Sequence, residues 1–224
     1  MLEGILNGLI DKSNPPIPTA PGTPYGGGYY VGRFKIGTIE YALVVAPKSY
    51  ERSLMNKTVR TTTANTTSVI DGWANTNAMI TASAAEHPAA QYCRSLTIED
   101  YDDWYLPSIN EVEMLYRRFK PITAANNVSA TGGPSGAMGY NPSSVPIGAA
   151  YTASNPAVTT VPLFTPGGAQ TFNSTTPGYY YWSSTNPGTS DGTWRQLFST
   201  GTQQLGYKNT IHTVRPVRRI RVTP

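Results

Sequence analysis

Few residues in this chain could start chemistry. There is one cysteine, Cys93, and there are two histidines, His87 and His212. Cys93 falls in an apolar run with Ala89, Ala90 and Leu96 at helical spacing, which reads as a buried structural thiol rather than a nucleophile. A lone cysteine also excludes an intramolecular disulfide and points to folding in a reducing cytosol. His87 precedes a proline at a helix mouth, where a cap-like role fits better than catalysis. His212 opens the last strand. No His, Cys and Asp spacing matches a zinc site. Asp100, Asp102 and Asp103 cluster on a corner, not in the pocket-like setting where paired carboxylates exchange protons. The stretch Asn186-Pro187-Gly188-Thr189-Ser190-Asp191-Gly192 has oxygens that a hard cation would accept, but these are also the residues of an ordinary turn. The turn reading is preferred. The expectation is a non-enzymatic chain with no catalytic residue, no metal and no cofactor.

Composition favours recognition or packing instead. Charged residues make up 13%, about half the usual quarter. Residues 121–190 contain no Asp, Glu, Lys, Arg or His. A structureless loop that long inside a compact domain is either functional or a wrong assignment; residues 121–178 are read as an elaborated loop region. Its amides, hydroxyls and tyrosines, Tyr140 and Tyr151 among them, suit neutral sugars and suit packing against a sister subunit equally. The net charge is +4, but the one dense basic cluster is Arg215, Arg218, Arg219 and Arg221. A terminal strand of this kind reads as a set of structural ion pairs rather than a nucleic-acid face. No run reaches the length of a membrane span, and the first residues lack the basic start and cleavage site of a secretion signal.

The elements that would position these residues are partly legible. Ser108 and Glu111 form the pattern of a capping box. Val112, Leu115, Tyr116 and Phe119 then mark one face of a helix from Ile109 to Lys120, which Pro121 stops. A second helix is expected from Pro88 to Leu96. Asp71-Gly72-Trp73 reads as a turn before it. Tyr29–Ile36 and Ile39–Ala46 read as strands joined by Gly37-Thr38, the second apolar enough to be central. Residues 193–198 and 203–208 read as a hairpin, followed by a last strand from Ile211 to Val222 in which Pro216 marks an edge or a bulge. Trp104, Leu106, Leu115, Trp182 and Val217 are expected to share one core, and Asp102 or Asp103 to pair with a terminal arginine.

Three stretches in order, Asp102-Asp103-Trp104-Tyr105-Leu106-Pro107-Ser108 with Glu111, then Tyr181-Trp182-Ser183-Ser184-Thr185, then Val214-Arg215-Pro216-Val217-Arg218-Arg219-Ile220, resemble the C-terminal domain of the Lcl collagen-like adhesin and its relatives. The resemblance covers roughly Asp71 to the C-terminus. It implies an α+β, C-type-lectin-like fold: two short helices on small antiparallel sheets, with long ordered loops. Arg215 and Arg218 fall on motif positions and are expected to be structural. In phage tropism determinants of similar architecture, the ligand face lies on the last sheet hairpins. By that likeness the candidates here are Thr189, Asp191, Trp194, Gln196, Gln203, Gln204, Tyr207 and Asn209.

At the other end, Leu2, Ile5, Leu6, Leu9 and Ile10 form an apolar stripe at helical spacing. A proline-rich stretch from Ser13 to Pro24 reads as an extended spacer, and Gly26-Gly27-Gly28 as a hinge. Residues 1–28 are therefore read as an arm and residues 29–224 as the lectin-like domain. The expected protein is a phage virion component made in the host cytoplasm. The arm anchors it to other virion proteins, as a homo-oligomer with a trimer favoured, and the domain binds a host surface glycan or protein. A decoration protein of head, collar or tail is the alternative, and a bacterial surface adhesin is a third.

Overall fold

The computed structural model describes residues 16–174, 179–188 and 191–223. The first strands are Pro24–Tyr25 (β1), Gly28–Ile36 (β2) and Ile39–Val45 (β3). β2 and β3 pair antiparallel up to Ile36 opposite Ile39, so Gly37-Thr38 is the expected two-residue turn, with Gly37 at φ +59°. β1 pairs with β2, turning through Gly26 and Gly27, both at positive φ. This is a correction. The glycines read as a hinge form a tight turn, and the expected boundary between residues 28 and 29 falls inside a hairpin. The described part of the spacer, from residue 16 on, is docked as well: Gly22 N donates to Tyr30 O at 2.7 Å, and Ile17 packs against the cluster around Trp104.

Next come Arg52–Met55 (β4) and three helices, Gly72–Ser83 (α1), Pro88–Arg94 (α2) and Ile109–Phe119 (α3). Two helices were expected. The missed one, α1, begins where a turn was read: the Asp71 side chain caps it by accepting from Ala74 N at 2.9 Å. Its buried face is Gly72, Asn75, Thr76 and Met79, so hydrophobic periodicity does not reveal it. Gly72 is required there, since a Cβ would meet Ser108 N and Glu111 Oε2 at 2.4 Å. α3 carries the expected capping box, with Glu111 N donating to Ser108 Oγ and Ser108 N donating to Glu111 Oε2 at 2.7 Å.

The remaining strands are Ser144–Val145 (β5), Tyr180–Trp182 (β6), Gly192–Leu197 (β7), Gln203–Tyr207 (β8), Ile211–Val214 (β9) and Val217–Arg221 (β10). They complete an α+β fold with two sheets. One runs β1-β2-β3-β10, with β5 added on β2; the other runs β4-β9-β6-β7-β8. All pairings are antiparallel except β6 with β9. β3 is central, as its apolar run requires. The single last strand expected from Ile211 to Val222 is two strands in different sheets. Pro216 lacks the N–H a ladder needs, and at Arg215-Pro216 the chain crosses from the second sheet to the first.

The five residues expected to share a core are all buried, but in three clusters. Leu115 and Val217 join the largest, around Phe119, Phe164, Phe172 and Phe198. Trp104 packs with Tyr25, Tyr30 and Val44, and Leu106 and Trp182 pack with Met79 and Cys93. The uncharged loop supplies core rather than a bare surface: Met138, Tyr151, Phe164 and Phe172 all enter the largest cluster. Polar groups tie it down. Tyr116 Oη donates to Asn126 Oδ1 at 2.6 Å, and Asn126 Nδ2 donates to Thr152 O and Pro156 O at 2.9 Å each.

The terminal arginines form ion pairs. Arg218 bridges both Asp103 oxygens at 2.6 and 3.0 Å, and Arg219 meets Asp71 at 2.8 Å. Asp102 is exposed, and its carbonyl accepts from Arg94; among the described residues its carboxylate joins no ion pair. Arg215 is fully buried and pairs with Glu51 at 3.3 Å. Glu51→Ala, which strands Arg215 without its carboxylate, is expected to cost about 3–5 kcal/mol in urea unfolding, and the double variant with Arg215→Met to recover most of that loss.

Burial pushes the Glu111 carboxyl up to about 7, although Tyr105 and Ser108 donate to it. A raised folded value means stability from this group is full below the ordinary carboxylate range and is lost as pH rises through about 7. The urea midpoint should therefore fall between pH 5 and pH 8, and Glu111→Gln should lower stability yet flatten that slope.

Candidate functional site

The β7–β8 hairpin ends the second sheet, with β8 as its edge. Trp194 pairs with Leu205, Gln196 with Gln203, and Arg195 with Gln204. Paired residues share a face and successive residues alternate. One face therefore carries Trp194, Gln196, Gln203, Leu205 and Tyr207. The other carries Thr193, Arg195, Gln204 and Gly206.

The first face is half covered. Gln196 and Gln203 lie buried beneath the long loop: Gln196 Nε2 donates to Tyr151 Oη at 3.0 Å, and Gln203 Oε1 accepts from Gly139 N at 3.4 Å. Beyond the loop, Leu205 and Tyr207 are exposed, Tyr207 by 56%.

On the second face Arg195 lies flat across Gly206, whose absent Cβ leaves the room, since a Cβ would meet Arg195 Nε at 2.5 Å. Its guanidinium stacks on the Tyr180 ring at 3.9 Å, and Nη1 donates to His212 Nε2. Gln204 Nε2 holds Tyr180 by donating to its hydroxyl at 2.8 Å. His212 rests against Tyr180 and Trp182 at ring separations of 5.4 and 4.7 Å. Burial, and then the Arg195 charge, bring His212 down to about 4, so its ring is neutral and presents a lone pair to Arg195. Burial likewise pulls Arg195 below the usual arginine range.

Between the two faces, at the free end of the hairpin, a cleft of about 520 Å³ opens. Asp191, Arg195, Leu205, Tyr207 and Thr210 line it, with Gly192 and Gly206. Arg60 braces one wall by pairing with Asp191 at 2.7 Å and stacking on Tyr207 at 3.6 Å. The cleft offers a cation, an aromatic wall, a carboxylate and a hydroxyl. Among the described residues no group of three or more His, Cys, Asp or Glu side chains could hold a metal ion. Cys93 is buried, its thiol pushed far above its ordinary range by burial, which leaves it inert. His87 is buried and bonds Thr63 and Ser83, with no side-chain cap. No helix of the described residues is long and apolar enough to cross a membrane.

Of the ten candidate ligand residues, Asp191 and Tyr207 line the cleft, and Gln204 holds Tyr180, on which the lining Arg195 stacks. Asn209 is exposed in the turn after β8, Tyr140 is exposed on the long loop, and Trp194 is half-buried. Gln196, Gln203 and Tyr151 are corrected to interior residues; Tyr151 Oη donates to Glu113 at 3.1 Å. Thr189 and the expected anchor, Leu2, Ile5, Leu6, Leu9 and Ile10, lie outside the described residues. Sequence reasoning missed Arg195, Tyr180, Thr210 and Arg60. A usable signal was present for Arg195: its strand partner across the hairpin is an amide, so it has no acid opposite.

The motif residues brace this region. Ser184 N donates to Pro107 O at 2.7 Å, and Ile109 N donates to Thr185 Oγ1 at 3.0 Å, which fixes the Tyr180–Trp182 strand to the start of α3.

The family model for the Lcl C-terminal domain matches residues 55–218, well over half of the chain. The match begins in β4, ends in β10, and takes in the first two motif stretches whole and the third as far as Arg218. No curated protein and no solved structure matches.

Tyr151→Phe removes the hydroxyl that joins Glu113 and Gln196 inside the core. It is expected to lower stability by about 1–3 kcal/mol, read by urea unfolding, and to leave binding at the hairpin cleft unchanged.

Proposed function

The chain belongs to the Lcl C-terminal domain family, and from that premise we propose that it is a non-enzymatic recognition module of a phage virion that binds a host surface glycan or protein. The family is compatible with a surface or adhesin-like role. The observation that carries the reading is the cleft at the free edge of the β7–β8 hairpin. There Leu205 and Tyr207 stay exposed beside Arg195 and Asp191, while the large side chains of the motif segments, and Met138, Tyr151, Phe164 and Phe172 of the long loop, are buried. Neighbouring exposed aromatic and hydrogen-bonding groups on an otherwise weakly charged protein suit a ligand that is mostly uncharged. The α+β fold with its two sheets is read as the C-type-lectin-like kind that the family resemblance implies. The apolar stripe from Leu2 to Ile10 supports attachment to other virion proteins and a homo-oligomer, a trimer by preference.

A second reading, a decoration protein with no receptor, draws on the same edge. Leu205 and Tyr207 on β8 and Ile211 on β9 are exposed apolar side chains that a neighbouring subunit would cover.

Binding of the fluorescent full chain to a panel of bacterial cells separates the two. Tyr207→Ala, with an unchanged melting temperature, is expected to lower cell binding about tenfold, in line with loss of an aromatic anchor. Wild-type chain that binds no cell but still incorporates into particles, with incorporation lost in Tyr207→Ala, would favour decoration.

A further inference from the structure

Most arginines drawn inward in this fold come with a carboxylate; Arg94, stacked on Trp73, instead gives Nη1 to two backbone carbonyls, those of Asp102 and Trp104. Arg117 has Glu113, Arg215 has Glu51, Arg218 has Asp103 and Arg219 has Asp71. Even the more exposed Arg33 and Arg60 have Glu40 and Asp191. Arg195 departs from this. It is half-buried, and its one hydrogen-bond partner among the described residues is the neutral His212. Nε is sealed beneath Gly206 with no acceptor. Asp191, the acid in the same cleft, is committed to Arg60. A partly desolvated cation without a counter-ion is a cost that folding alone gives no reason to keep.

The geometry points to a site for a sugar residue bearing a carboxylate, with the carboxylate on Arg195. This rests on the reading of the hairpin cleft as a recognition surface and names the class of ligand it takes. A guanidinium held flat between Tyr180 and Gly206, with Nε covered and one Nη1 hydrogen on His212, keeps only its Nη1–Nη2 end for a ligand, and a planar carboxylate meets such an end with two oxygens. His212 and Gln204 fix the plane, the first by accepting from Nη1 and the second by holding Tyr180. The rest of the cleft suits a sugar ring. Tyr207 gives an apolar face, Asp191 an acceptor and Thr210 a hydroxyl, in a volume that holds one or two rings. One positive charge with no carboxylate among the described residues matches one carboxylate.

The test uses the full chain and three probes: D-glucuronate, D-glucose and glucose 6-sulfate. Titration is followed by the arginine Nε–Hε resonances and by calorimetry. Glucuronate is expected to move the Arg195 resonance and to bind at least about tenfold tighter than either other sugar, as expected for one charge-assisted bidentate contact. Two variants remove that preference. Arg195→Gln deletes the charge. Gly206→Ala keeps it but pushes the side chain aside, at a residue whose backbone is open to alanine. Equal binding of glucose, equal or tighter binding of the sulfate, or a glucuronate preference that survives both variants overturns the assignment. Such a failure leaves cell binding by the wild-type chain intact. Loss of cell binding with glucuronate binding retained would instead strike at the surface-recognition reading.

Discussion

A fully buried guanidinium holds the two sheets together. Arg215 sits on the two-residue link between β9 and β10 with none of its side chain exposed. Nε donates to Ala46 O, just past the end of β3, at 2.8 Å; Nη1 reaches Glu51 before β4; Nη2 reaches Gln170 Oε1 on the long loop at 3.2 Å. Glu51 in turn accepts from Tyr181 Oη at 2.9 Å and Asn173 Nδ2 at 2.6 Å. Both sheets and the end of the uncharged loop therefore meet at one ion pair. Burying two charges repays its desolvation only when geometry and the remaining hydrogen bonds are satisfied, and here the partners come from five separate segments. Any change in the path of one segment would leave a charge or donor stranded. That explains how a loop with no charge of its own is held in one arrangement: it closes a network whose charges lie elsewhere.

The second constraint is the corner before α3. Trp104, Tyr105 and Leu106 are consecutive, and each enters a different cluster. Tyr105 also pairs with Val217 of β10 through bonds of 2.8 and 3.0 Å. Arg218, one residue on, clamps Asp103. The corner is thus fastened to the last strand by backbone and by charge, and α3 leaves it through a capping box whose glutamate is itself buried. This fixes where the Tyr180–Trp182 strand can lie, because Ser184 and Thr185 bond to Pro107 and Ile109. The hairpin that builds the cleft pairs onto that strand, Trp182 opposite Arg195.

The legible parts of the fold were those written in local physics. The capping box with its apolar stripe, the two-residue turn at Gly37 and the alternation of β7 and β8 need only neighbours in sequence. α1 was not legible because its buried face is glycine, asparagine and threonine, held by bonds such as Thr76 Oγ1 to Leu106 O. The break at Pro216 was visible as a defect in a strand, but not as a crossing between sheets, since that depends on what Arg215 reaches. Gln196 and Gln203 were placed on the right hairpin and still misread as surface. Strand alternation says which residues share a face, not whether a loop from residue 138 to residue 151 covers it. Tyr180 and Arg195 could not be joined in sequence, because their stacking requires β6 and β7 to be adjacent.

The charge pattern of the chain acquires a physical meaning once these contacts are known. With few ionisable residues, the fold uses its internal cations as clasps: Arg117, Arg215, Arg218 and Arg219 each close on an acid, and the buried Lys120 and Lys208 close on backbone carbonyls. Arg195 has every feature of a clasp except the acid: an aromatic plate beneath, a glycine above, an acceptor at one end. Rigid placement of this kind is costly to maintain in side-chain entropy, and in the interior it is repaid by a partner on another segment. On the hairpin edge there is no further segment to supply one. The same rule that makes Arg215 and Arg218 structural therefore makes Arg195 a side chain whose environment is incomplete within the described residues, and it lines a cleft whose Asp191 and Tyr207 are braced by Arg60.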